Sequence, residues 1–293
     1  MNIKDKNKDI DTTTGIETTG LEWDGLKELN NPLPKWWVII FLICCIWAIF
    51  YWIIFPSWPI YFSEGERGGT RGVIGWTQYN KLDEEISKIK ELKKDYLEVF
   101  RENSYEEIFK NEKIYAFSIA GGKSAFKNYC STCHGIGGEG RIGYPNLNDD
   151  DWIWGGSIEK IEQTIKFGIR ADHENTRYSE MPSFIDIFTE KQIEELATYI
   201  VKLNKNESIE SSTDELFKES CGTCHLENGR GNQEIGGPNL VDSIWLYSNG
   251  EIFEIMNQLK NPKHGNMPAW VERLNEDTIR QISIYVYSLG GGE

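Results

Sequence analysis

The fold is decided by one pentapeptide that occurs twice, Cys130-Ser131-Thr132-Cys133-His134 and Cys221-Gly222-Thr223-Cys224-His225. Cys-x-x-Cys-His is the attachment sequence of a c-type haem. On a helical turn, positions i, i+3 and i+4 share one face, so both thiols reach the haem vinyl groups and the imidazole of the His faces the iron. Two copies 91 residues apart predict two covalently attached haems.

The sequence around the two motifs also repeats, which predicts two helical haem domains in tandem. Each copy has a Phe before the first Cys, then a Pro-Asn-Leu and a Trp after the His, and a Met-Pro further on. In order, these residues are Phe126 and Phe217, Pro145 and Pro238, Trp152 and Trp245, Met181 and Met267. After each Met, apolar residues recur at matched 3–4 spacing, from Ile193 to Leu203 and from Ile279 to Leu289, which predicts an amphipathic final helix in each domain. Thr189 and Gln192 form a predicted capping box at the start of the first of these helices.

Met181 and Met267 are the candidate sixth ligands of the irons, one at each haem. A Met ligand raises the reduction potential of a c-type haem. His173 and His264 lie eight and three residues upstream of the two Met residues and are alternative ligands that would give a lower potential. Sequence order leaves open whether each Met serves the motif before it or whether the two domains exchange their Met ligands.

The motifs predict His134 and His225 as iron ligands. One ring nitrogen of each His would bind the iron, and the N–H of the other ring nitrogen needs a hydrogen-bond acceptor. The carbonyl groups of Pro145 and Pro238 are the candidates, because Pro offers an acceptor without a competing N–H. The Trp that follows each Pro has two interpretations. It reaches a haem propionate through its indole N–H, or it is a core aromatic residue.

A zinc site is the alternative for two Cys-x-x-Cys pairs, because four thiolates can hold zinc tetrahedrally. Such a site has no use for a His directly after each pair, for the wide separation of the pairs or for the repeated Met-Pro. The pattern therefore favours haem.

Residues 36–55, WWVIIFLICCIWAIFYWIIF, form an uncharged run that is long enough to cross a bilayer. The run predicts one retained transmembrane helix with Trp36, Trp37 and Trp58 as interfacial anchors. A cleaved signal peptide fits less well, because 35 residues precede the run and no small-residue cleavage site follows it. Lys and Arg are balanced on its two sides and do not give the orientation. Haem attachment takes place outside the bacterial cytoplasmic membrane, so we expect periplasmic haem domains and a cytoplasmic N-terminus.

The formal charge of −15 argues against nucleic acid as a partner and suits a basic or dipolar protein partner. Of the six Cys, four belong to the haem motifs, while Cys44 and Cys45 lie in the apolar run, so none remains for a disulfide in the soluble part. The predicted organisation is a cytoplasmic segment (1–35), the transmembrane helix (36–55), a periplasmic linker with an amphipathic helix (56–112), cytochrome c domain 1 (113–205), a short polar linker (206–212) and cytochrome c domain 2 (213–293).

Three further stretches are similar to one family: Asn31-Pro32-Leu33-Pro34-Lys35-Trp36-Trp37 ahead of the apolar run, Gly75-Trp76-Thr77 after it, and Pro262 to Trp270 around the second Met-Pro. From about Trp23 onward the chain resembles the CcoP (FixP) family of cbb3-type cytochrome c oxidase subunits. The resemblance implies a mainly α chain, with one N-terminal transmembrane helix and two class I cytochrome c-like domains. Leu226 stands where the family commonly has Gly after the haem His, a difference that affects local loop shape.

The resemblance also implies a function. The chain would take electrons from a soluble cytochrome c or from the quinol–cytochrome c reductase. It would pass them through its two haems towards the monohaem and catalytic subunits, where oxygen is reduced. The chain itself would have no catalytic residues.

Two other functions use the same haem motifs. A free-standing membrane-anchored dihaem carrier, or the cytochrome subunit of a dehydrogenase, is the first, and the Asn31 to Trp37 motif favours the oxidase over it. A haem-based gas sensor or a peroxidase is the second, and it needs an open or labile sixth position. Six-coordinate irons with Met ligands would not provide one.

Overall fold

The computed structural model describes residues 9–61, 67–69, 72–205, 207, 211–242 and 244–290. Over these residues the chain is mainly helical, with two small antiparallel sheets near the N-terminus. It divides into two compact units, Met1–Leu92 and Lys93–Glu293.

The first unit contains two antiparallel strand pairs and one long apolar helix. Its elements are β1 (Thr18–Trp23), β2 (Leu26–Leu29), α1 (Lys35–Ile54), β3 (Pro59–Tyr61) and β4 (Arg67–Gly69). β1 and β2 are joined by Asp24 and Gly25, whose φ angles of 49° and 84° are those of a type I′ turn. These strands were not predicted, although Asp-Gly between apolar residues is a hairpin signal.

The predicted transmembrane run is helical almost throughout, because α1 begins one residue earlier, at Lys35, and ends one residue earlier, at Ile54. None of its residues is buried within the chain, and its length and hydropathy are sufficient to cross a membrane. At its C-terminal end the Val73 N–H donates to the Ile53 carbonyl at 3.0 Å, so the chain returns to bond one of the last-turn carbonyls.

The second unit contains both haem motifs. The remaining helices are α2 (Gln78–Glu102), which begins in the first unit, α3 (Tyr105–Lys110), α4 (Glu112–Tyr129), α5 (Ser131–His134), α6 (Ile158–Phe167), α7 (Glu190–Asn204), α8 (Ser211–Ser220), α9 (Gly222–His225), α10 (Ile252–Lys260) and α11 (Glu276–Tyr287). The first sequence repeat supplies α4 to α7 and the second supplies α8 to α11. Thr189 and Gln192 form the predicted capping box at α7. In the predicted linker, Asn206 and residues 208–210 lie outside the described residues.

The final helices of the two repeats are exchanged in space. α11 packs on α4 and α6 of the first repeat, whereas α7 packs on α8 and α10 of the second. We call the resulting clusters the first and second haem cores. The first haem core contains Ala125, Phe126, Ile161, Ile165, Ile279, Ile282, Tyr285 and Val286. The second contains Phe184, Ile193, Leu196, Ala197, Tyr199, Ile200, Phe217, Cys221, Ile255 and Leu259.

This packing differs from the sequence order of domains 113–205 and 213–293, in which each motif keeps the final helix that follows it. The short connection between α7 and α8 explains the difference, since elements that are close along the chain usually pack together. Across this connection the Tyr199 hydroxyl donates to Asp214 at 2.8 Å, and its ring lies 4.9 Å from that of Phe217. α7 is thereby paired with the second repeat, which leaves the first haem core to α11.

The C-terminal part of the predicted amphipathic helix, α2, belongs to the haem unit. Phe100 is fully buried in a cluster that includes Ile284 of α11. The guanidinium of Arg101 donates to both carboxylate oxygens of Asp277 at 2.7–3.0 Å. The guanidinium of Arg280 lies 4.8 Å from the Phe100 ring. The end of α2 is therefore fastened to α11 by apolar packing and by an ion pair.

Candidate haem-binding sites

Each haem motif continues from the end of a helix as one further turn. The Cys130 N–H donates to the Phe126 carbonyl at 2.8 Å, and the His134 N–H donates to the Cys130 carbonyl at 3.0 Å. The second motif repeats these two bonds, at 2.8 Å and 2.9 Å. The Phe that precedes each motif is fully or almost fully buried in its own haem core. Helical geometry therefore places both thiols and the imidazole of each motif on one face.

The first Cys of each motif is an uncharged thiol at neutral pH. Burial, with a smaller contribution from the second Cys of the motif, raises the pKa of Cys130 to about 12 and that of Cys221 to about 11. A thiol forms a thioether by adding its S–H across a vinyl double bond, without an oxidant. All four motif thiols are free of disulfides.

The imidazole of each motif is held with one nitrogen available to a metal. His134 Nδ1 lies 3.1 Å from the Pro145 carbonyl oxygen, and His225 Nδ1 lies 2.9 Å from that of Pro238. A carbonyl oxygen only accepts, so Nδ1 carries the proton and Nε2 keeps its lone pair. Burial lowers the pKa of both His residues, and the Pro carbonyls oppose this only in part. Each His is therefore neutral, as a metal ligand must be.

Glycines bring the two Pro carbonyls to the His rings. Gly140 has a φ of 68°, and its N–H donates to the His134 carbonyl at 2.7 Å. A Cβ at this position would lie 2.6 Å from the backbone nitrogen of Asn146. Gly231 occupies the equivalent place in the second motif, with a φ of 81°. The left-handed conformation and the close approach of the backbone both require Gly.

Each Met loop docks on the haem core of the other repeat. Met267 packs against the first haem core, together with Cys130, and Met181 packs against the second haem core, which contains Cys221. Met267 and Ile169, just after α6, exchange both backbone hydrogen bonds, at 2.9 Å and 3.0 Å. The structure thus brings each Met to the motif of the other repeat, one of the two arrangements that the sequence leaves open.

Equivalent backbone bonds on the two sides show that the exchange is reciprocal. Trp270, three residues after Met267, donates its N–H to the Ile165 carbonyl of α6 at 3.2 Å. Phe184, three residues after Met181, donates its N–H to the Leu259 carbonyl of α10 at 2.9 Å. Ile165 and Leu259 occupy the same position in their two repeats.

The alternative ligands His173 and His264 have other partners. The exposed His264 lies at the Met181 loop, where its Nε2 accepts the Met181 N–H at 3.0 Å. His173 Nδ1 accepts the Asn175 N–H at 3.0 Å, and its ring lies 5.1 Å from that of Phe167. His264 therefore supports the loop of a candidate ligand, and its Nε2 is already engaged.

The donor set fits haem better than zinc. Among the described residues no group of three or more His, Cys, Asp and Glu side chains is arranged to hold a metal ion, so the four motif Cys do not converge as a closed zinc site requires. Trp152 and Trp245 are partly buried and pack on the first and second haem cores. The buried Nε of Arg177 has no hydrogen-bond partner among the described residues. A carboxylate such as a haem propionate would satisfy this donor.

One residue at the first motif escapes prediction from the sequence. The Arg141 guanidinium donates to the Thr132 carbonyl at 2.8 Å and lies 4.8 Å from the Tyr144 ring. It therefore fixes the motif turn from outside. Its only sequence signal is its place in the Gly-rich stretch after His134, and the second repeat has Asn232 at the corresponding place after Gly231.

Known proteins match this chain over nearly its whole length. The model of the N-terminal domain of cytochrome oxidase-cbb3, FixP, matches residues 15–61, and that of cytochrome C oxidase, cbb3-type, subunit III, matches residues 118–200 and 211–286. The cbb3-type cytochrome c oxidase subunit FixP of Rhizobium meliloti (strain 1021) is 44% identical over 295 residues, covering 99% of this chain and 100% of that protein. Subunit CcoP of Azospirillum brasilense is 40% identical over 298 residues, covering 98% and 99%.

A solved chain of the Kuenenia stuttgartiensis reducing HAO-like protein complex is 19% identical, with 58% of this chain and 96% of that chain covered. Its TM-score of 0.17 is too low to inform the fold or the function.

Proposed function

The chain belongs to the family of cbb3-type cytochrome c oxidase subunit III, and we propose that it carries electrons within such an oxidase through two covalently attached c-type haems. The observation that carries the proposal is the pair of motif turns, each presenting two free thiols and a neutral His whose Nε2 is free to bind iron. A haem bound there supplies reversible one-electron transfer. The other residues of the chain bind and orient it.

The ligand sets follow from the exchanged loops. Cys130 and Cys133 would hold the first haem, with His134 and Met267 as the ligands of its iron. Cys221 and Cys224 would hold the second haem, with His225 and Met181 as the ligands of its iron. The support is the packing of each Met with the haem core of the other repeat and the backbone bonds that fix each loop there. His/Met ligation raises the reduction potential and leaves no open position for oxygen.

The surrounding residues tune and protect these centres. The carbonyls of Pro145 and Pro238 orient the proximal His rings and raise their basicity as ligands. The buried Phe126 and Phe217 back the two motif turns and exclude water from that side. Trp152 and Trp245, which pack at the edges of the haem cores, are proposed neighbours of the propionates.

The apolar α1 and the family membership fit a membrane-anchored protein. The proposed topology is a single pass through the bacterial inner membrane, with a cytoplasmic N-terminus and periplasmic haem domains, the side on which haem is attached. The proposed electron donor is a soluble cytochrome c or the quinol–cytochrome c reductase. The acceptors are the monohaem and catalytic subunits of the oxidase, which complete the respiratory chain to oxygen.

Purification of the tagged chain from detergent-solubilised membranes of a cytochrome c-maturing bacterial host tests the assembly. We expect it to co-purify with a large multi-haem membrane subunit and to carry two haems by pyridine haemochrome assay and intact mass. A chain that isolates alone as a stable dihaem carrier would contradict the oxidase assignment, and an apoprotein or zinc form would contradict the haem assignment.

Single-haem backgrounds test the ligand sets. In a Cys221→Ala, Cys224→Ala background that retains only the first haem, Met267→Leu is expected to lower the reduction potential, because it removes the thioether ligand. Met181→Leu in the same background is the matched control and should leave the potential unchanged. If Met181→Leu lowered the potential and Met267→Leu did not, each Met would serve the motif that precedes it in the sequence.

A further inference from the structure

One arginine contacts both Met loops. Arg170 follows α6, and its Nε donates to the Gly265 carbonyl at 2.6 Å. Its Nη1 donates to the Ser179 carbonyl, also at 2.6 Å. Gly265 lies two residues before Met267, and Ser179 lies two residues before Met181. The same side chain therefore holds the equivalent backbone carbonyl of each loop.

The chemistry of the guanidinium suits this bridge. Its N–H groups are fixed in one plane, so two acceptors on different segments are held at a set distance and angle from each other. The ammonium of Lys is a single point of charge on a flexible stem and cannot reproduce that geometry. Arg170 is partly buried, which lowers competition from water for both carbonyls.

The backbone of Arg170 is also fixed from several sides. Its φ of 51° lies in the left-handed region, which is unfavourable for a residue with a Cβ. Its N–H donates to the Arg177 carbonyl at 2.8 Å, and its carbonyl accepts from the side-chain amide of Asn266. The preceding residue, Ile169, is the one that pairs with Met267. Neighbouring contacts thus maintain a strained conformation at the residue that joins the loops.

We propose that Arg170 is a positioning residue for both axial Met ligands, so that one side chain sets the geometry of two irons. The inference rests on the proposed function, because it assumes that Met181 and Met267 bind haem iron. It adds a physical link between the two centres, since a movement of Arg170 displaces both loops at once. His264, which lies in the Met267 loop, adds a second bond between the two loops, because its Nε2 accepts the Met181 N–H.

The test uses the full-length holoprotein in detergent, with Arg170→Gln, Arg170→Lys and, as a matched surface control, Arg230→Gln at the exposed Arg230. The readouts are the weak near-infrared absorption band of Met-ligated ferric haem, the redox titration of both haems, and carbon monoxide binding to the reduced protein. We expect Arg170→Gln to lose band intensity at both haems, lower both potentials and admit carbon monoxide. Arg170→Lys should behave like Arg170→Gln, and Arg230→Gln should match wild type.

The Lys variant separates positioning from charge. If Arg170 acted only as a nearby cation, Arg170→Lys would restore wild-type potentials, and the proposal would be wrong. A change confined to one haem in Arg170→Gln would also overturn it. Should that variant fail to accumulate, Asn266→Ala removes the side-chain bond to the Arg170 carbonyl and is expected to weaken both bands to a smaller extent. An effect of Asn266→Ala at one haem alone refutes the shared role.

Failure of the proposed function gives a different result. Wild-type protein without the Met–iron band at either haem would refute the ligand assignment itself. Wild-type protein with both bands, unchanged by Arg170→Gln, would refute only the role of Arg170.

Discussion

The exchange of the final helices predicts which repeat a core mutation destabilises. Packing in sequence order would predict the opposite repeat. Ile282 of α11 and Leu196 of α7 occupy equivalent places in the repeat, and their exposed fractions are 1% and 0%. Ile282 lies in the first haem core and Leu196 in the second. Ile282→Ala should therefore weaken the packing of α4, in the first repeat, and Leu196→Ala that of α8, in the second.

The size of the effect follows from the burial. Replacing a fully buried Ile or Leu by Ala costs about 2–5 kcal/mol, because apolar contacts are lost and a cavity remains. A cost of about 3 kcal/mol raises the population of the locally opened state on the order of a hundredfold. Amide exchange in the affected helix should accelerate by a similar factor.

Hydrogen-exchange mass spectrometry of the holoprotein measures this helix by helix. We expect faster exchange in peptides from residues 112–129 for Ile282→Ala and in peptides from residues 211–220 for Leu196→Ala. Glu194→Ala, at an exposed position of α7, is the control and should change neither. If Ile282→Ala accelerated exchange in residues 211–220 and left residues 112–129 protected, the exchanged packing would be refuted.

Three further changes test other parts of the structure. Leu226 has a φ of 60°, which is unfavourable for a residue with a Cβ. Leu226→Gly should therefore raise the free energy of unfolding, measured by urea titration, by about 0.5–1 kcal/mol, because the relief of strain exceeds the added backbone entropy of the unfolded chain. A decrease would show that the Leu226 side chain packs favourably. Phe100→Ala should lower the free energy of unfolding by about 3–5 kcal/mol, because the ring is fully buried. The control Val99→Ala, at a 39% exposed position, should lower it much less. Equal losses would contradict the anchoring of α2. Burial, followed by the neighbouring carboxylate of Asp242, raises the pKa of Asp151 to about 6, above the value of about 3.9 in an unfolded chain. The folded state then binds more protons than the unfolded state between about pH 4 and pH 6, so stability falls as the pH rises through this range. Asp151→Asn should reduce that fall in urea titrations repeated across this pH range. An unaltered pH profile would place the titration on another group.

Much of the site is predictable because it depends on local chemistry. The spacing within Cys-x-x-Cys-His fixes the motif turn, and Pro145 and Pro238 accept from the His rings where a Pro carbonyl was expected. The uncharged run is a helix from Lys35 to Ile54. The 3–4 spacing around Phe100 also produces a helix, α2. In each case residues within a few turns of one another determine the outcome.

Other features depend on residues that are far apart in the chain. Arg170 reaches Ser179 and Gly265, and the second contact spans 95 residues. Arg170 carries no motif of its own, and its left-handed conformation is unusual for a residue with a Cβ. The Asp24-Gly25 turn is different, because its dipeptide signal is present in the sequence and local rules would have been sufficient to predict it, although it was not predicted.

The sequence by itself determined that the chain has two c-type haem motifs, and it offered four Cys, two His and two Met residues as the candidate ligands. Only the tertiary structure decided which Met loop and which final helix pack against which haem core. α7 and α11 present the same apolar pattern at matched positions, so either helix satisfies either core by hydrophobicity alone. The short connection from α7 to α8, together with the backbone bonds of the Met loops to α6 and α10, selects one pairing.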